Sequence, residues 1–302
     1  MVNVKWRGGK ERLPLTGGRG FGSPSPHKDT NAKPMTRFRL SSATLAALLI
    51  PLLLPVLPSC SVKEDRRGCP CWLEVALAPC EALARSVTVS AWNPSPLFLE
   101  GVDVRDYPDG YERTVPRGYL TVSVFAGRRV QELSGESLLI PDGQPCDSLW
   151  AHRALIDCSG EFARDTAVLH KQFASVRLHV DNLPEGEDYP YGLILRSRFD
   201  GLRLTDCSPH AGAWSLPLRS LPDGTYLFRV PRQGDGSLSV DLLLDGEKVD
   251  SYPIGEEILR SGYSWLSEDL EDIAIGMDYG RGEVRISVEP WREVDPLREA
   301  VL

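Results

Sequence analysis

The segment that ends at Cys60 carries the clearest chemical signature in the sequence. A start with two arginines precedes the apolar residues 40–57, and Cys60 comes directly after the small residue Ser59. This layout is typical of a bacterial signal peptide. A cysteine in this position is the residue whose thiol receives a diacylglycerol before the chain is cut in front of it. We therefore predict that residues 35–59 are a lipoprotein signal peptide and that Cys60 is the lipid attachment site.

Two other interpretations of this segment are weaker. Pro58 stands where a small or β-branched residue is usual before the lipidated cysteine, so an ordinary signal peptide is an alternative. A transmembrane helix is the other, because about 18 apolar residues are at the lower edge of what spans a bilayer. Pro51, Pro55 and Pro58 argue against a continuous helix there.

Residues 1–34 are rich in Gly, Pro, Lys and Arg and show almost no apolar periodicity. A secretory signal should begin a chain, so we interpret these residues as an upstream extension in front of the true start at Met35. A basic tail that binds nucleic acid is the alternative.

The charge of the remaining chain argues against nucleic acid as a partner. The chain holds 34 Lys and Arg and 42 Asp and Glu. Nine of the basic and two of the acidic residues precede Cys60, so residues 60–302 carry 25 basic and 40 acidic residues, a net charge of −15. Such a surface repels nucleic acid and anionic headgroups. A membrane attachment must then come from the lipid on Cys60.

Six further cysteines follow Cys60, and an even number in an exported chain permits three disulfides in any of fifteen pairings. They are Cys69, Cys71, Cys80, Cys146, Cys158 and Cys207. Partly unpaired, buried cysteines are an equally open interpretation. The CxC spacing of the first two differs from the CxxC of metal and redox sites, and no histidine lies nearby, so we predict no metal site.

Motifs for catalysis are missing from the sequence. No HExxH, GxSxG or P-loop pattern occurs, and the carboxylate-rich stretches at residues 256–257 and 268–272 are typical of solvated turns. We predict no enzymatic activity and no cofactor. Aromatic residues could instead line a sugar-binding surface, although in a β-sandwich they more often fill the core. The aromatic residues in question are Trp92, Trp214, Trp265, Trp291, Tyr107, Tyr111, Tyr119, Tyr189 and Tyr191.

Short alternating segments dominate the rest of the chain and predict antiparallel strands with one buried face. The clearest are residues 72–77, 86–92, 119–125, 175–181, 192–197, 225–230, 237–244 and 283–288. Pro-Asp-Gly turns at residues 108–110, 141–143 and 222–224 separate some of them. Only residues 256–260 predict a short helix. Strands at this spacing predict an all-β fold of β-sandwiches.

The best seam between two such sandwiches lies near residues 165–173. We therefore divide the chain into the extension 1–34, the signal peptide 35–59, a lipidated tether 60–68, an N-terminal β-sandwich 69–168 and a C-terminal β-sandwich 169–302.

Two stretches resemble the FimB/Mfa2 family, the fimbrial anchor lipoproteins of Bacteroidales. The first, residues 59–77, reads SCSVKEDRRGCPCWLEVAL, and the second, residues 252–291, reads YPIGEEILRSGYSWLSEDLEDIAIGMDYGRGEVRISVEPW. Family members similarly carry an Ile-Gly-Glu turn, a short helix, an Asp-Ile strand, an Asp-Tyr pair matched by Asp278 and Tyr279, and a last strand that closes on a tryptophan, here Trp291. Pro58, the second cysteine Cys71 and the N-terminal extension depart from the family pattern.

This resemblance implies two tandem transthyretin-like antiparallel β-sandwiches and a role at the base of a fimbria. It implies that the chain binds the fimbrillin of the pilus shaft by strand addition, in which an extended segment of one subunit completes the sheet of its neighbour. It also implies that Lys63, Glu64 and Asp65 form the signal that sends the lipoprotein to the cell surface. The chain is thus expected to anchor a fimbria to the outer membrane and to limit its length. The alternative is a surface lipoprotein that binds glycans or acts as an adhesin.

Overall fold

The computed structural model describes residues 68–183 and 189–279, together with the backbone of residues 284–289. The predicted signal peptide, Cys60, Lys63, Glu64, Asp65 and Trp291 lie outside the described residues.

The all-β prediction is confirmed, since the described residues form 18 strands and one short α-helix. The first ten strands are β1 (Cys71–Ala76), β2 (Ser86–Asn93), β3 (Ser95–Asp103), β4 (Tyr111–Val115), β5 (Tyr119–Ala126), β6 (Glu132–Ser134), β7 (Ser137–Leu139), β8 (Trp150–Asp157), β9 (Phe162–Thr166) and β10 (His170–Lys171). The remaining elements are β11 (Phe173–Asp181), β12 (Gly192–Arg203), β13 (Pro209–Leu218), β14 (Tyr226–Pro231), β15 (Ser239–Leu244), β16 (Glu247–Tyr252), α1 (Ile254–Arg260), β17 (Asp272–Asp278) and β18 (Val284–Glu289).

Two sheets form the first sandwich. The smaller has the order β4-β1-β9, and the larger has the order β10-β8-β5-β2-β3. Strand β1 is antiparallel to β4 and parallel to β9, whereas every pair in the larger sheet is antiparallel. Alternate residues of these strands meet in a hydrophobic core that includes Leu73, Val89, Leu120 and Val124. This is the one-sided burial that the alternating sequence predicts.

The second sandwich repeats this arrangement, with longer strands in its smaller sheet. Its smaller sheet has the order β14-β11-β17-β18, in which β11 is antiparallel to β14 and parallel to β17. The larger sheet has the order β16-β15-β12-β7-β6, and β13 also pairs with β12. The core between them includes the aromatic residues Phe173, Trp214, Phe228 and Trp265.

Helix α1 covers one side of the second core. Ile254 and Ile258 are four residues apart, so they share one face of the helix, and both are fully buried. A Cβ on Gly255 would lie 2.6 Å from the carbonyl oxygen of Gly236, so only glycine allows this close approach. Gly262, with a φ of +89°, follows the last turn and lets the chain leave the helix.

The hairpin β6–β7 connects the two sandwiches in an unexpected way. It lies between β5 and β8 in the sequence, yet β7 pairs with β12 in the larger sheet of the second sandwich. A third hydrophobic cluster, which includes Trp92, Phe125 and Leu202, fills the space beside this hairpin. The division of the chain into folding units at residues 168 and 169 stays a prediction.

Candidate functional site

Strand β9 ends the smaller sheet of the first sandwich and carries the highly exposed apolar side chain of Phe162. The N–H of Trp72 donates to the carbonyl of Glu161 at 2.8 Å, and the N–H of Ala167 donates to the carbonyl of Ala76 at 3.0 Å. In a parallel pair the bonding residues alternate, so the odd-numbered residues of β9 bond to β1. The N–H and C=O groups of Phe162 and Arg164 therefore point away from β1, towards an edge with no neighbour among the described strands. We call these outward groups the open β9 edge.

The exposed side chains at this edge include an apolar residue, Phe162, and a charged residue, Arg164. Phe162 pairs in register with Trp72 of β1, and their side chains are 74% and 41% exposed. Arg164 next to them donates from Nη2 to the Glu74 carboxylate at 2.9 Å. An arriving strand would meet a large apolar surface beside free hydrogen-bonding groups, which is what strand addition requires.

The far end of β9 is closed by a contact with β8. His152 Nδ1 accepts from the N–H of Val168 at 3.3 Å, so Nε2 carries the proton that it donates to the Asp165 carboxylate at 2.8 Å. Burial raises the pKa of Asp165, but the hydrogen bond and the charge of His152, together with the N–H of Thr166, outweigh burial and leave that pKa below its ordinary value. Because the N–H of Thr166 donates to the same carboxylate, the open edge ends before this residue.

A second candidate site is a cavity of about 540 Å³ at the end of the second sandwich, which we call the tyrosine cavity. Four tyrosines line it together with two carboxylates: Tyr189, Tyr191, Tyr252, Tyr279, Asp250 and Asp278. Tyr189 packs edge-on against both Tyr191 and Tyr279, with ring centroids 5.4 and 6.0 Å apart. Aromatic faces with nearby carboxylates suit sugar rings, whose C–H groups stack and whose hydroxyls donate.

Burial raises the pKa of Tyr189, and the neighbouring tyrosines raise it further. The phenol is therefore neutral over the physiological range and is able to donate or accept a hydrogen bond. Asp278 and Tyr279, the pair named in the resemblance, both lie in this cavity. Asp278 accepts from the amide of Asn182 at 2.8 Å.

Four of the eight described aromatics from this set are buried as expected, and three are half-buried. Trp92, Trp214, Trp265 and Tyr111 are at most 4% exposed. Tyr119 is the clear departure at 63%, because it lies on the outer face at the start of β5.

The six cysteines from Cys69 to Cys207 are all free thiols in this structure, and their pairing stays a prediction. The Cys158 thiol is hydrogen-bonded to that of Cys71, and burial raises the Cys158 pKa to about 12. Burial also raises the pKa of Cys80 to about 11. Raised pKa values keep these thiols protonated and unreactive at neutral pH.

The described residues contain neither a metal-binding cluster nor a membrane-spanning helix. Within the described ranges, no cluster of three or more His, Cys, Asp or Glu residues is arranged to hold a metal ion. Residues 68–183 and 189–279 contain no helix long and apolar enough to cross a membrane.

Sequence reasoning did not locate either candidate site. The exposed Phe162 follows a loop, and residues 162–166 (FARDT) lack the alternation that predicts a strand. The tyrosines of the cavity are up to 90 positions apart in the sequence, so only the fold brings them together. The sequence did name Tyr189 and Tyr191 as possible sugar-binding aromatics and Asp278-Tyr279 as a motif, but it did not show that they lie together.

No protein-family model matches the sequence, and no curated protein matches it. Solved structures do match the fold. A DUF1812 protein from Bacteroides thetaiotaomicron, described as a proposed polysaccharide-binding protein, is 14% identical with a TM-score of 0.53, over 74% of this chain and 99% of that one. A proposed adhesin from Bacteroides ovatus is 13% identical with a TM-score of 0.51, over 78% of this chain and 98% of that one.

The fimbrial anchor protein Mfa2 from Porphyromonas gingivalis has the same fold. It is 15% identical to this chain with a TM-score of 0.50, over 74% of this chain and 98% of that one. The structural resemblance to the FimB/Mfa2 family that the sequence predicts is thereby confirmed at the level of the fold.

Proposed function

We propose that this chain is a non-enzymatic surface lipoprotein that anchors a fimbria to the outer membrane and limits its length. In this proposal it binds the basal fimbrillin subunit by strand addition at the open β9 edge. The observation that carries the proposal is the contrast between two equivalent strands. Strand β17 of the second sandwich has β18 on its outer side, whereas β9 has no neighbour there among the described strands. The fold shared with the anchor Mfa2 supports the same role.

The position of the edge suits an anchor. Phe162 lies beside Trp72, close to the point where the chain enters the first sandwich. Arg117 holds this end together, because Nε donates to the carbonyl of Cys69 at 2.7 Å and Nη1 donates to that of Ser159 at 3.1 Å. Gly68 comes eight positions after Cys60, and an extended chain of that length spans at most about 30 Å. A lipid on Cys60 would therefore keep the open edge near the membrane.

Surface display belongs to the same proposal. Lys63, Glu64 and Asp65 would follow the lipidated cysteine directly and act as the export signal. The acidic surface of residues 60–302 repels anionic headgroups, so the acyl chains alone would hold the protein.

The strand-addition step is tested by one backbone change at Arg164. Replacing Arg164 with Pro removes the outward N–H without removing a bond to β1, and proline is tolerated on edge strands. Replacing Arg164 with Ala removes the same side chain and its ion pair with Glu74 but keeps the N–H. We expect R164P to lose co-purification with fimbrillin and R164A to retain it. Equal binding by the two variants would contradict addition at this edge.

The anchor role is tested separately on cells. Replacing Cys60 with Ala removes the predicted lipid site, and we expect fibres to appear in the medium instead of on the cell. Fibres that stay attached and unchanged in this variant would overturn the anchor role. A parent strain without fibres would overturn it as well.

The tyrosine cavity favours a second candidate function, the binding of surface glycans. The proposed polysaccharide-binding role of the B. thetaiotaomicron protein gives this alternative some support. Tyr191 is part of the cavity rim, so replacing it with Ala should abolish retention of a soluble neutral polysaccharide by the purified protein. The same substitution at the exposed Tyr119 serves as the control. Unchanged retention in the Tyr191 variant would remove this candidate.

A further inference from the structure

Two buried cysteines meet inside the first sandwich. Cys71 is the first residue of β1 in the smaller sheet, and Cys158 directly follows the last residue of β8 in the larger sheet. Both residues are fully buried in the same hydrophobic core. Their thiols are hydrogen-bonded to each other, so this contact links the chain of one sheet to the chain that leaves the other.

Hydrogen bonds next to this pair hold the two chain segments together. The N–H of Trp72 donates to the carbonyl of Glu161 at 2.8 Å. The Arg117 guanidinium bridges the same segments, because it donates to the carbonyl of Cys69 at 2.7 Å and to that of Ser159 at 3.1 Å. A disulfide forms without large backbone movement only between segments that are already close, and residues 69–72 and 159–161 meet this condition.

The other four cysteines lie in different surroundings. Cys80 Sγ donates to the carbonyl of Ala167 at 3.5 Å. Cys146 belongs to the second core, Cys207 packs against the third cluster, and Cys69 is exposed. The fold therefore favours one pair out of the fifteen pairings that the sequence leaves open.

We propose that Cys71 and Cys158 form a disulfide that joins the two sheets of the first sandwich. The competing interpretation is that the two thiols only fill the core, since a free cysteine behaves as a small hydrophobic residue. The predicted signal peptide favours the disulfide, because exported chains fold under oxidising conditions. The pairing does not depend on the anchor role, and its failure would leave that role untouched.

The oxidant in this proposal is a protein disulfide of the class that introduces disulfides into exported chains. One cysteine attacks it as a thiolate and forms a mixed disulfide, and the other sulfur of the oxidant leaves as a thiolate. The second cysteine then attacks the mixed disulfide and closes the bond between Cys71 and Cys158. The two thiols lose two protons and two electrons, and the oxidant leaves as a dithiol.

Oxidation must come before the first core closes. The thiolate is the form that attacks a disulfide, and a free cysteine has a pKa of about 8.5. Burial raises the pKa of Cys158 to about 12, so in the closed core this thiol stays protonated and out of contact with an oxidant. The bond is therefore expected to form while the chain is still unfolded or partly folded.

The bond would close a loop of about 90 residues that contains β1 to β8. A cross-link stabilises a fold mainly by reducing the entropy of the unfolded chain, and a long loop gives a larger effect than a short one. For a chain of this size we expect the midpoint of thermal unfolding to rise by about 10–15 °C.

The experiment refolds the full chain under defined redox conditions. The chain is unfolded and reduced in urea with a mild detergent, then refolded with reduced and oxidised glutathione, the latter being the disulfide oxidant. Remaining thiols are blocked with N-ethylmaleimide before digestion with trypsin and a glutamate-specific protease. Cleavage after Glu74 separates Cys80 from Cys69 and Cys71, and fragmentation in the mass spectrometer locates the linked sulfurs.

We expect residues 68–74 to be linked to residues 154–161 through Cys71 and Cys158, with the maleimide on Cys69. Protein refolded without oxidised glutathione should unfold at a midpoint lower by about 10–15 °C. Recovery of both Cys71 and Cys158 as maleimide adducts would show that the pair only fills the core, and it would overturn the proposal. A link from Cys158 to Cys69 would overturn it as well.

Two variants make the result specific to this pair. Replacing Cys158 with Ala removes one partner and should abolish both the linked peptide and the dependence of the midpoint on oxidised glutathione. Replacing Cys80 with Ala removes a buried thiol of the same core and should leave both in place. Equal loss of the oxidant dependence in the two variants would contradict a bond between Cys71 and Cys158.

Discussion

The two sandwiches share one strand arrangement but end it differently. In each smaller sheet, one strand has an antiparallel partner on one side and a parallel partner on the other. In the first sandwich this strand is β1, between the antiparallel β4 and the parallel β9. In the second it is β11, between the antiparallel β14 and the parallel β17. In the second sandwich β18 then pairs with β17. In the described part of the first sandwich the sheet ends at β9.

This difference shows how one architecture supports two uses. An edge strand exposes unpaired backbone groups, and proteins normally cover or blunt such an edge. The second sandwich covers its edge with its own chain. The first leaves Phe162 and Arg164 exposed at the corresponding place, and in the proposed function this is where a strand from another molecule would pair.

The cores differ as well. The second core contains large aromatic residues such as Phe173, Trp214 and Trp265, whereas the first is built mainly from aliphatic residues and cysteines, with Tyr111 as its buried aromatic residue. The first sandwich therefore depends more on the packing of small side chains and on its junction with the second.

The largest effect is expected when a leucine-to-alanine substitution creates a cavity in either core. Leu120 and Leu195 are fully buried, one in each core. Replacing either with Ala should lower the free energy of unfolding by about 2–5 kcal/mol. Because the hairpin β6–β7 and the third cluster join the sandwiches, we expect both variants to shift one common transition in urea. A shift of one of two separate transitions would show that the sandwiches unfold independently.

The next effect concerns the polar junction between the sandwiches. Lys171 is fully buried on β10 of the first sandwich, and its ammonium pairs with Asp272 on β17 of the second. Replacing Asp272 with Ala leaves a buried charge without this partner, which should cost about 3 kcal/mol.

The matched comparison for Asp272 is a double variant in which Lys171 becomes Met and Asp272 becomes Asn. This pair removes both charges and keeps an acceptor for the N–H of Ser175, so thermal unfolding should show most of the lost stability restored. If the double variant is as unstable as D272A, the cost does not come from the unpaired lysine.

The smallest effect compares two carboxylates on outer sheet faces. Asp241 of the second sandwich is 1% exposed and bonds to Arg196, Lys248 and Ser251 at 2.5–2.7 Å. Burial raises its pKa, but these bonds outweigh burial and lower it to about 2 from 3.8. The ionised form thus stabilises the fold above about pH 4, and this contribution is lost as the pH falls through about 2.

Replacing Asp241 with Asn should cost about 2 kcal/mol at pH 7, and the difference from the unmodified protein should shrink below pH 4. In the first sandwich, the partner of Glu74 is the exposed Arg164, so replacing Glu74 with Gln should cost about 0.5 kcal/mol or less. Urea titrations at several pH values measure both. A D241N penalty that persists unchanged at pH 2 would argue against the ionised pair as its source.

The sequence predicted the strands in which apolar and polar residues alternate regularly. It also predicted the turns that contain Pro-Asp-Gly. Residues 86–92 and 119–125 became β2 and β5, and the three Pro-Asp-Gly turns have glycines with φ between +76° and +115°. Residues 256–260 lie within α1.

Other elements depend on tertiary contacts that no local pattern records. Strand β12 continues through Phe199 and Gly201 because register shifts there absorb an irregularity, whereas the sequence predicts an end at Ser197. Strand β13 contains Gly212 and Pro217, which normally argue against a strand, and it pairs on one side with β12.

The hairpin β6–β7 has a mechanical consequence. A Cβ on Gly201 would lie 2.0 Å from the carbonyl oxygen of Leu138, so β7 and β12 are in direct backbone contact. The hairpin is flanked in the chain by β5 and β8, which pair with each other along eight positions in the first sandwich. A pulling force between the sandwiches would therefore load two paired strands at once instead of a single flexible linker.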